Sequence, residues 1–247
     1  MIVGVIPARY AATRLPGKPL IDLCGQTMIE RVWRATAACA ELDRVLIATD
    51  DERVVREAER IGADVVMTDP ELPSGTDRCY AALASLGTQP EIVINIQGDE
   101  PLLQPQVLTD LIAALRSGNA DVATPVTRIT ESADLTDANI VKVAMTSSGR
   151  AVYFSRSPIP HMRSVDVASW LGHAPYWKHI GIYAYRRDAL DRHVSLPPTD
   201  LERCESLEQL RLLADGAVFA CVPTDVTFIS VDAPQDADAV RRFLERG

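Results

Sequence analysis

The strongest constraint on the fold is a rhythm. Short apolar runs alternate with amphipathic stretches through the first half of the chain. Ile2–Pro7 is a continuous apolar run, as expected of a strand buried on both faces. Further strands are predicted at Arg44–Ala48, Asp64–Met67, Ile92–Ile96 and Asp121–Val126. Between them the 3.6-residue period predicts helices over Thr27–Ala40, Asp51–Ile61, Thr76–Leu86 and Pro105–Arg116. Strands alternating with helices of this length imply an α/β fold with a doubly wound, mostly parallel, Rossmann-like sheet.

The second half changes character. Ile140–Met145 and Ala151–Phe154 read as strands joined at Ser147-Ser148-Gly149, and His179–Tyr185 as another. Ser157–Lys178 has little periodicity and reads as a long mobile loop. Asp200–Asp215 reads as one helix, Ala217–Val222 and Thr227–Val231 as strands, and Pro234–Glu245 as the terminal helix. At 247 residues the chain suits one α/β domain with a small appended lobe. No apolar run is long enough to span a membrane, and the start lacks the basic segment and cleavage site of a signal peptide. The five cysteines are odd in number and widely spaced, as expected of thiols in a reducing cytoplasm.

Charge excludes one class of partner and leaves another open. The formal net charge of −9 speaks against wrapping a nucleic-acid backbone. That charge is unevenly placed. Residues 1–21 hold three cations, Arg9, Arg14 and Lys18, and no acid, while the remainder sums to −12. In open α/β sheets ligands bind beyond the C-terminal strand ends. There the first loop could cradle a triphosphate, although it matches neither a P-loop nor a dinucleotide fingerprint. A plain solvated basic loop is the competing reading. Asp99 follows the fourth predicted strand, where it could approach a phosphate-bound Mg²⁺ or simply shape a turn. Asp232 before Pro234 reads first as a helix cap. Ser74-Gly75-Thr76-Asp77-Arg78 opens a helix whose N–H groups could meet an anion, with Thr76 as a simple cap the equal alternative.

Seven stretches in order then carry a resemblance: IPARYAATRLPGKPL (6–20), SGTDR (74–78), INIQGDEP (94–101), VYFSR (152–156), KHIGIYAY (178–185), SLEQLR (206–211) and ISVDAPQD (229–236). Together the chain closely resembles the 3-deoxy-manno-octulosonate cytidylyltransferases, from Ile6 to Asp236. The resemblance implies a nucleotide-diphospho-sugar transferase type of sheet with a smaller mixed lobe for sugar binding and dimerisation. It implies transfer of CMP from CTP to 3-deoxy-manno-octulosonate (Kdo), releasing pyrophosphate, for the lipopolysaccharide core.

Residue roles follow from the same resemblance. Arg9, Arg14, Lys18 and Asp99 would be catalytic. Ala8, Arg9, Arg14, Lys18, Ser74, Gly75, Thr76 and Arg78 would hold the nucleotide. Gln97, Arg156, His179, Tyr183, Glu208 and Gln209 would surround the sugar, with Arg156 or Arg14 taking its carboxylate. Asp99 and Asp232 would bind Mg²⁺, and His179 would contact sugar rather than act as a base. The resemblance also implies a cytoplasmic homodimer, with residues 1–247 forming a single nucleotidyltransferase domain in which about 151–193 is a lid and dimerisation subregion. No membrane insertion is expected. A cytidylyltransferase for a related acid sugar is the alternative within enzymes, and a non-catalytic nucleotide-binding regulator the alternative outside them.

Overall fold

The first apolar run becomes β1 (Ile2–Ala8), almost wholly buried, in a computed structural model that describes residues 1–11, 15–87 and 89–246. The elements that follow are α1 (Met28–Ala37), β2 (Arg44–Thr49), α2 (Glu52–Ile61), β3 (Asp64–Met67), α3 (Gly75–Leu83), β4 (Ile92–Asn95) and α4 (Pro105–Ser117). Then come β5 (Val122–Arg128), α5 (Ser132–Thr136), β6 (Lys142–Met145), β7 (Ala151–Ser155), β8 (Trp177–His179), β9 (Tyr183–Arg186) and α6 (Arg187–Ser195). The chain finishes with α7 (Asp200–Glu205), α8 (Gln209–Ala214), β10 (Phe219–Pro223) and α9 (Pro234–Leu244). Contacts divide it into two compact units, one of Met1–Thr109 with Val226–Gly247, the other Asp110–Asp225; the division falls within α4.

Within the first unit the strand order is β3-β2-β1-β4, every pairing parallel. This is the Rossmann-like arrangement the alternation predicts. Its strands read as unbroken apolar runs because the sheet is covered: Val3, Val5, Ile6, Ile47, Ile92, Val93 and Ile94 are all fully buried. Local chemistry sets the helix starts. Thr27 accepts from the Glu30 N–H at 3.2 Å to cap α1, and Asp51 accepts from the Arg53 N–H at 2.8 Å to cap α2. Gly62 ends α2 at φ +76°, a conformation that favours glycine. The C-terminal segment seals this unit, with Val231, Ala237 and Val240 packed on Leu23, Met28 and Leu102.

The second unit is mixed. Its β5 pairs in parallel with β10 and antiparallel with β8 and β9, while β6 pairs antiparallel with β7 and β8. The parallel expectation therefore holds for the first unit, and strands after residue 110 run mostly antiparallel. Lys142 is fully buried here; its ammonium donates to the carbonyls of Asp137, Ile140 and Arg156 at 2.8, 2.7 and 2.5 Å.

Several boundaries differ from the sequence reading. Ser157–Lys178 is not a structureless loop: a 3₁₀ turn spans Val167–Gly172, and Trp170 and Tyr176 pack with Ile129 and Leu135 into a buried cluster. The predicted strand His179–Tyr185 is two strands, β8 and β9. The predicted helix Asp200–Asp215 breaks between α7 and α8, where Ser206 has φ +51°. Thr227–Val231 is not a strand, though the Val231 N–H donates to the Asp99 carbonyl at 3.0 Å. No described helix is long and apolar enough to cross a membrane.

Candidate active site

In the 3-2-1-4 order the chain reverses direction of growth between β1 and β4, and the crevice beyond those two strand ends is where such sheets receive ligands. A cleft of about 220 Å³ lies there. Ala8, Arg9, Lys18, Gly75, Arg78, Gln97 and Asp99 all line it, so the structure gathers residues that sequence places up to 91 positions apart. The approach is close. A Cβ built on Gly98 would stand 2.9 Å from the Pro7 carbonyl, so only glycine lets the β4 end come against the β1 end and carry Asp99 into the cleft.

Lys18 follows Gly17, whose φ of +72° turns the chain into a short 3₁₀ segment, Lys18–Leu20. Its ammonium donates to Asp99 Oδ2 at 2.6 Å and to Asp232 Oδ1 at 3.0 Å. Burial pulls the Lys18 pKa down, but Asp99 and Asp232 outweigh it and hold the group above its ordinary value. Two carboxylates far apart in the sequence, one beyond the end of β4 and one just before α9, thus converge on one cation.

That convergence tests the Mg²⁺ expectation. Magnesium is commonly held by one or two carboxylates, with substrate phosphates and waters completing the shell. Asp99 and Asp232 fit that donor set, the Lys18 ammonium marking the point they share. Asp232 is also not the cap that spacing suggests. Asp236 instead accepts from the N–H groups of Asp232 at 3.0 Å and Ala233 at 2.8 Å. The Asp232 carboxylate is thereby turned to Lys18.

Other expected nucleotide residues divide in behaviour. The Ala8 carbonyl accepts from the Thr49 hydroxyl at 2.7 Å. Arg9 keeps about half its side chain exposed; it donates to the Pro70 carbonyl at 2.7 Å and lies 3.5 Å from Asp50 Oδ2. Arg78 is fully buried beneath the cleft, donating to Asp50 Oδ2 at 2.9 Å and Thr68 Oγ1 at 2.5 Å. Burial pulls its pKa down, against the pull of Asp50. Ser74, not Thr76, caps α3, accepting from the Asp77 N–H at 3.1 Å. Thr76 is buried and accepts from Asn95 Nδ2 at 3.2 Å. Arg14 lies outside the described residues. Sequence reading missed Asp50, which shares its Oδ2 between Arg78 and Arg9. The available signal was its position just after β2, the same strand-end rule that singled out Asp99.

Of the residues expected around a sugar, Gln97 belongs to the first unit and the rest to the second. In the second unit His179, Tyr183 and Gln209 are buried, and the rings of His179 and Tyr183 lie 5.3 Å apart. His179 Nε2 and Gln209 Nε2 have no hydrogen-bond partner, an uncommon state for buried polar atoms that leaves both free to meet a polar ligand. Burial drives the His179 pKa down to about 3, so its imidazole is neutral at ordinary pH. Burial, with the nearby Glu208 charge, raises the Tyr183 hydroxyl well above its usual value. Arg156 is more committed than expected. Its guanidinium donates to the carbonyls of Glu205 at 2.7 Å, Ala138 at 2.9 Å and Ser206 at 3.2 Å.

Comparison with known proteins agrees with this geometry. A family model described as cytidylyltransferase matches residues 3–219. The chain is 44% identical to a 3-deoxy-manno-octulosonate cytidylyltransferase of Cytophaga hutchinsonii, over 95% of this chain and 94% of that one. It is also 44% identical to the Bacteroides thetaiotaomicron protein of that name, over 98% of each. A solved structure of CMP:2-keto-3-deoxy-manno-octonic acid synthetase complexed with CTP superposes with a TM-score of 0.91 at 38% identity, covering 99% of this chain and 98% of that one.

Proposed function

Because this chain belongs to the family of 3-deoxy-manno-octulosonate cytidylyltransferases, we propose that it transfers CMP from CTP to the anomeric C2 hydroxyl of Kdo and releases pyrophosphate. The observation that carries the chemistry is the meeting of Asp99 and Asp232 on one cation. The hydroxyl oxygen bonds to the α-phosphorus as the bond to the β-phosphate bridge breaks. Pyrophosphate leaves, and the hydroxyl proton passes to solvent.

Attack on a polyanion needs charge screened before it needs a strong base. Arg9, Arg14 and Lys18 hold the triphosphate and stabilise the leaving pyrophosphate. Asp99 and Asp232 would hold Mg²⁺, which when bound offsets phosphate charge and acidifies the attacking hydroxyl. Ala8, Ser74, Gly75 and Thr76 border the nucleotide, and Arg78 with Asp50 fixes the floor beneath it. His179, Tyr183, Glu208 and Gln209 provide polar contacts to the sugar. A neutral His179 offers a hydrogen bond rather than a charge, so recognition of the sugar carboxylate falls to Arg156 or Arg14. Positioning and electrostatics supply the rate, without a covalent enzyme intermediate.

A cytoplasmic homodimer serving lipopolysaccharide core synthesis completes this reading. All five cysteines being free thiols supports a reducing compartment. The test is pyrophosphate release with CTP, Mg²⁺ and a panel of acid sugars. Kdo supports release, and Asp99→Asn abolishes it while leaving the circular dichroism spectrum unchanged. A folded Asp99→Asn enzyme with near wild-type turnover removes the metal assignment; activity with a different acid sugar alone overturns the substrate.

A further inference from the structure

The ring of Tyr10 meets both a cation and a glycine. β1 ends at Ala8, and Tyr10 lies two residues beyond it, half-buried. The Arg53 guanidinium carbon sits 3.4 Å from the centre of the Tyr10 ring, well inside the range over which a cation and an aromatic face attract. Tyr10 also approaches Gly17. A Cβ built on Gly17 would stand 3.1 Å from the Tyr10 hydroxyl oxygen and 3.3 Å from Cζ, so the ring rests where a side chain at residue 17 would crowd it. The two residues are joined through the main chain as well, the Gly17 N–H donating to the Tyr10 carbonyl at 3.0 Å. The next residue is Lys18, whose backbone N–H donates to the Leu15 carbonyl at 3.1 Å.

Arg53 is itself fixed to a regular element. It lies in the first turn of α2, and the residue after it, Val54, is fully buried. Its Nε donates to Asp51 Oδ1 at 2.9 Å and its Nη2 to Asp51 Oδ2 at 2.7 Å. This two-point grip runs along the edge of the guanidinium and leaves a flat face for the ring. The Arg53 hydrogen bonds hold the Asp51 carboxyl down at about 2, so the pair stays ionised at ordinary pH. An ion pair whose arginine is about half exposed adds little stability. Its consequence is direction: a long side chain with many rotamers is held in one.

We propose that Arg53 is a positioning residue for the triphosphate: through the Tyr10 ring it seats Gly17 and so sets where Lys18 starts. The inference rests on the proposed assignment of Lys18 to the triphosphate. It gives the loop after β1 an anchor on α2, a helix that contributes no residue to the proposed contacts with CTP. Losing that anchor weakens use of CTP and leaves the sugar alone, because His179, Tyr183, Glu208 and Gln209 belong to the other unit.

Steady-state kinetics of pyrophosphate release separate positioning from packing. Arg53→Met keeps the length of the side chain and loses the cation, whereas Arg53→Lys returns a cation to the ring. Arg53→Met should lower kcat/KM for CTP about fivefold and Arg53→Lys no more than about twofold. Tyr10→Leu removes the ring and should lower it about tenfold, while Tyr10→Phe keeps the ring and stays within about twofold. Arg53→Met added to Tyr10→Leu should cost nothing further, since both act through one contact. KM for Kdo should be unchanged throughout, and Tm of Arg53→Met should lie within about 2 °C of wild type. Should Tyr10→Leu melt early, the comparison of Met with Lys at residue 53 carries the test by itself. An unchanged kcat/KM for CTP in Arg53→Met, equal losses for Met and Lys, full additivity with a folded Tyr10→Leu, or a parallel rise in KM for Kdo would overturn the proposal. Wild-type protein that releases no pyrophosphate from CTP with any acid sugar overturns the proposed function and this inference with it; an active wild type with any of those variant results overturns this inference alone.

Discussion

Arg78→Met separates a structural cation from a substrate-binding one. Arg78 is fully buried and its partner Asp50 is 11% exposed. Removing one member of a buried pair costs about 3–5 kcal/mol, because the other charge is left uncompensated. Arg9 lies 3.5 Å from the same Asp50 oxygen on the open side and keeps part of the compensation. The expected loss is therefore about 3 kcal/mol, near the lower end of that range. For a chain of this size each kcal/mol moves the melting temperature roughly 2–4 °C, so Tm should fall by about 6–12 °C. Adding Asp50→Asn removes the stranded carboxylate and should recover part of the loss. Differential scanning calorimetry of the two single variants and the double variant, with and without CTP, reads each term. An Arg78→Met protein that melts with wild type yet binds CTP far more weakly would refute the reasoning and make Arg78 a direct nucleotide contact.

Two further perturbations are informative. The His179 pKa rises from about 3 folded to 6.5 unfolded, so the unfolded chain binds an extra proton between those values and stability falls as pH drops through that window. From pH 7 to 5 the loss is about 2 kcal/mol, and urea titrations of His179→Gln should lack it; an unchanged acid slope would show that the imidazole is not neutral in the fold. Lys18→Ala should lower kcat/KM for CTP by about 2–4 kcal/mol in the transition state, and an unchanged value would remove Lys18 from the triphosphate site.

The parallel half of the fold was legible because burial on both faces writes itself into sequence as unbroken apolar runs. Ile2–Ala8 and Ile92–Asn95 fall within two residues of where the pattern places them. The second unit was less legible for a physical reason. Its strands are as short as three residues, and its Trp170–Tyr176 cluster draws apolar residues from a segment without period. Ser206 breaks a helix by adopting a left-handed conformation that serine seldom takes, so no local signal announced it. Strand-end position found Asp99, but it could not show that Asp236 takes over the capping of α9 and leaves Asp232 to Lys18. Burial was likewise invisible: Arg78 as a letter is a surface cation, and only its place over Asp50 and Thr68 makes it part of the interior.

The unit that holds Lys18, Asp99 and Asp232 is closed by Val226–Gly247, and this fixes when that cluster can form. Lys18 and Asp99 leave the ribosome early, whereas Asp232 and the helix that packs on Leu23 and Met28 are made more than a hundred residues later. Until then Lys18 has one carboxylate rather than two, and Asp99 lacks the Val231 N–H on its carbonyl. A nascent chain halted anywhere before residue 226 therefore holds Lys18 against Asp99 alone, and the three-residue cluster forms only once Val226–Gly247 has been made.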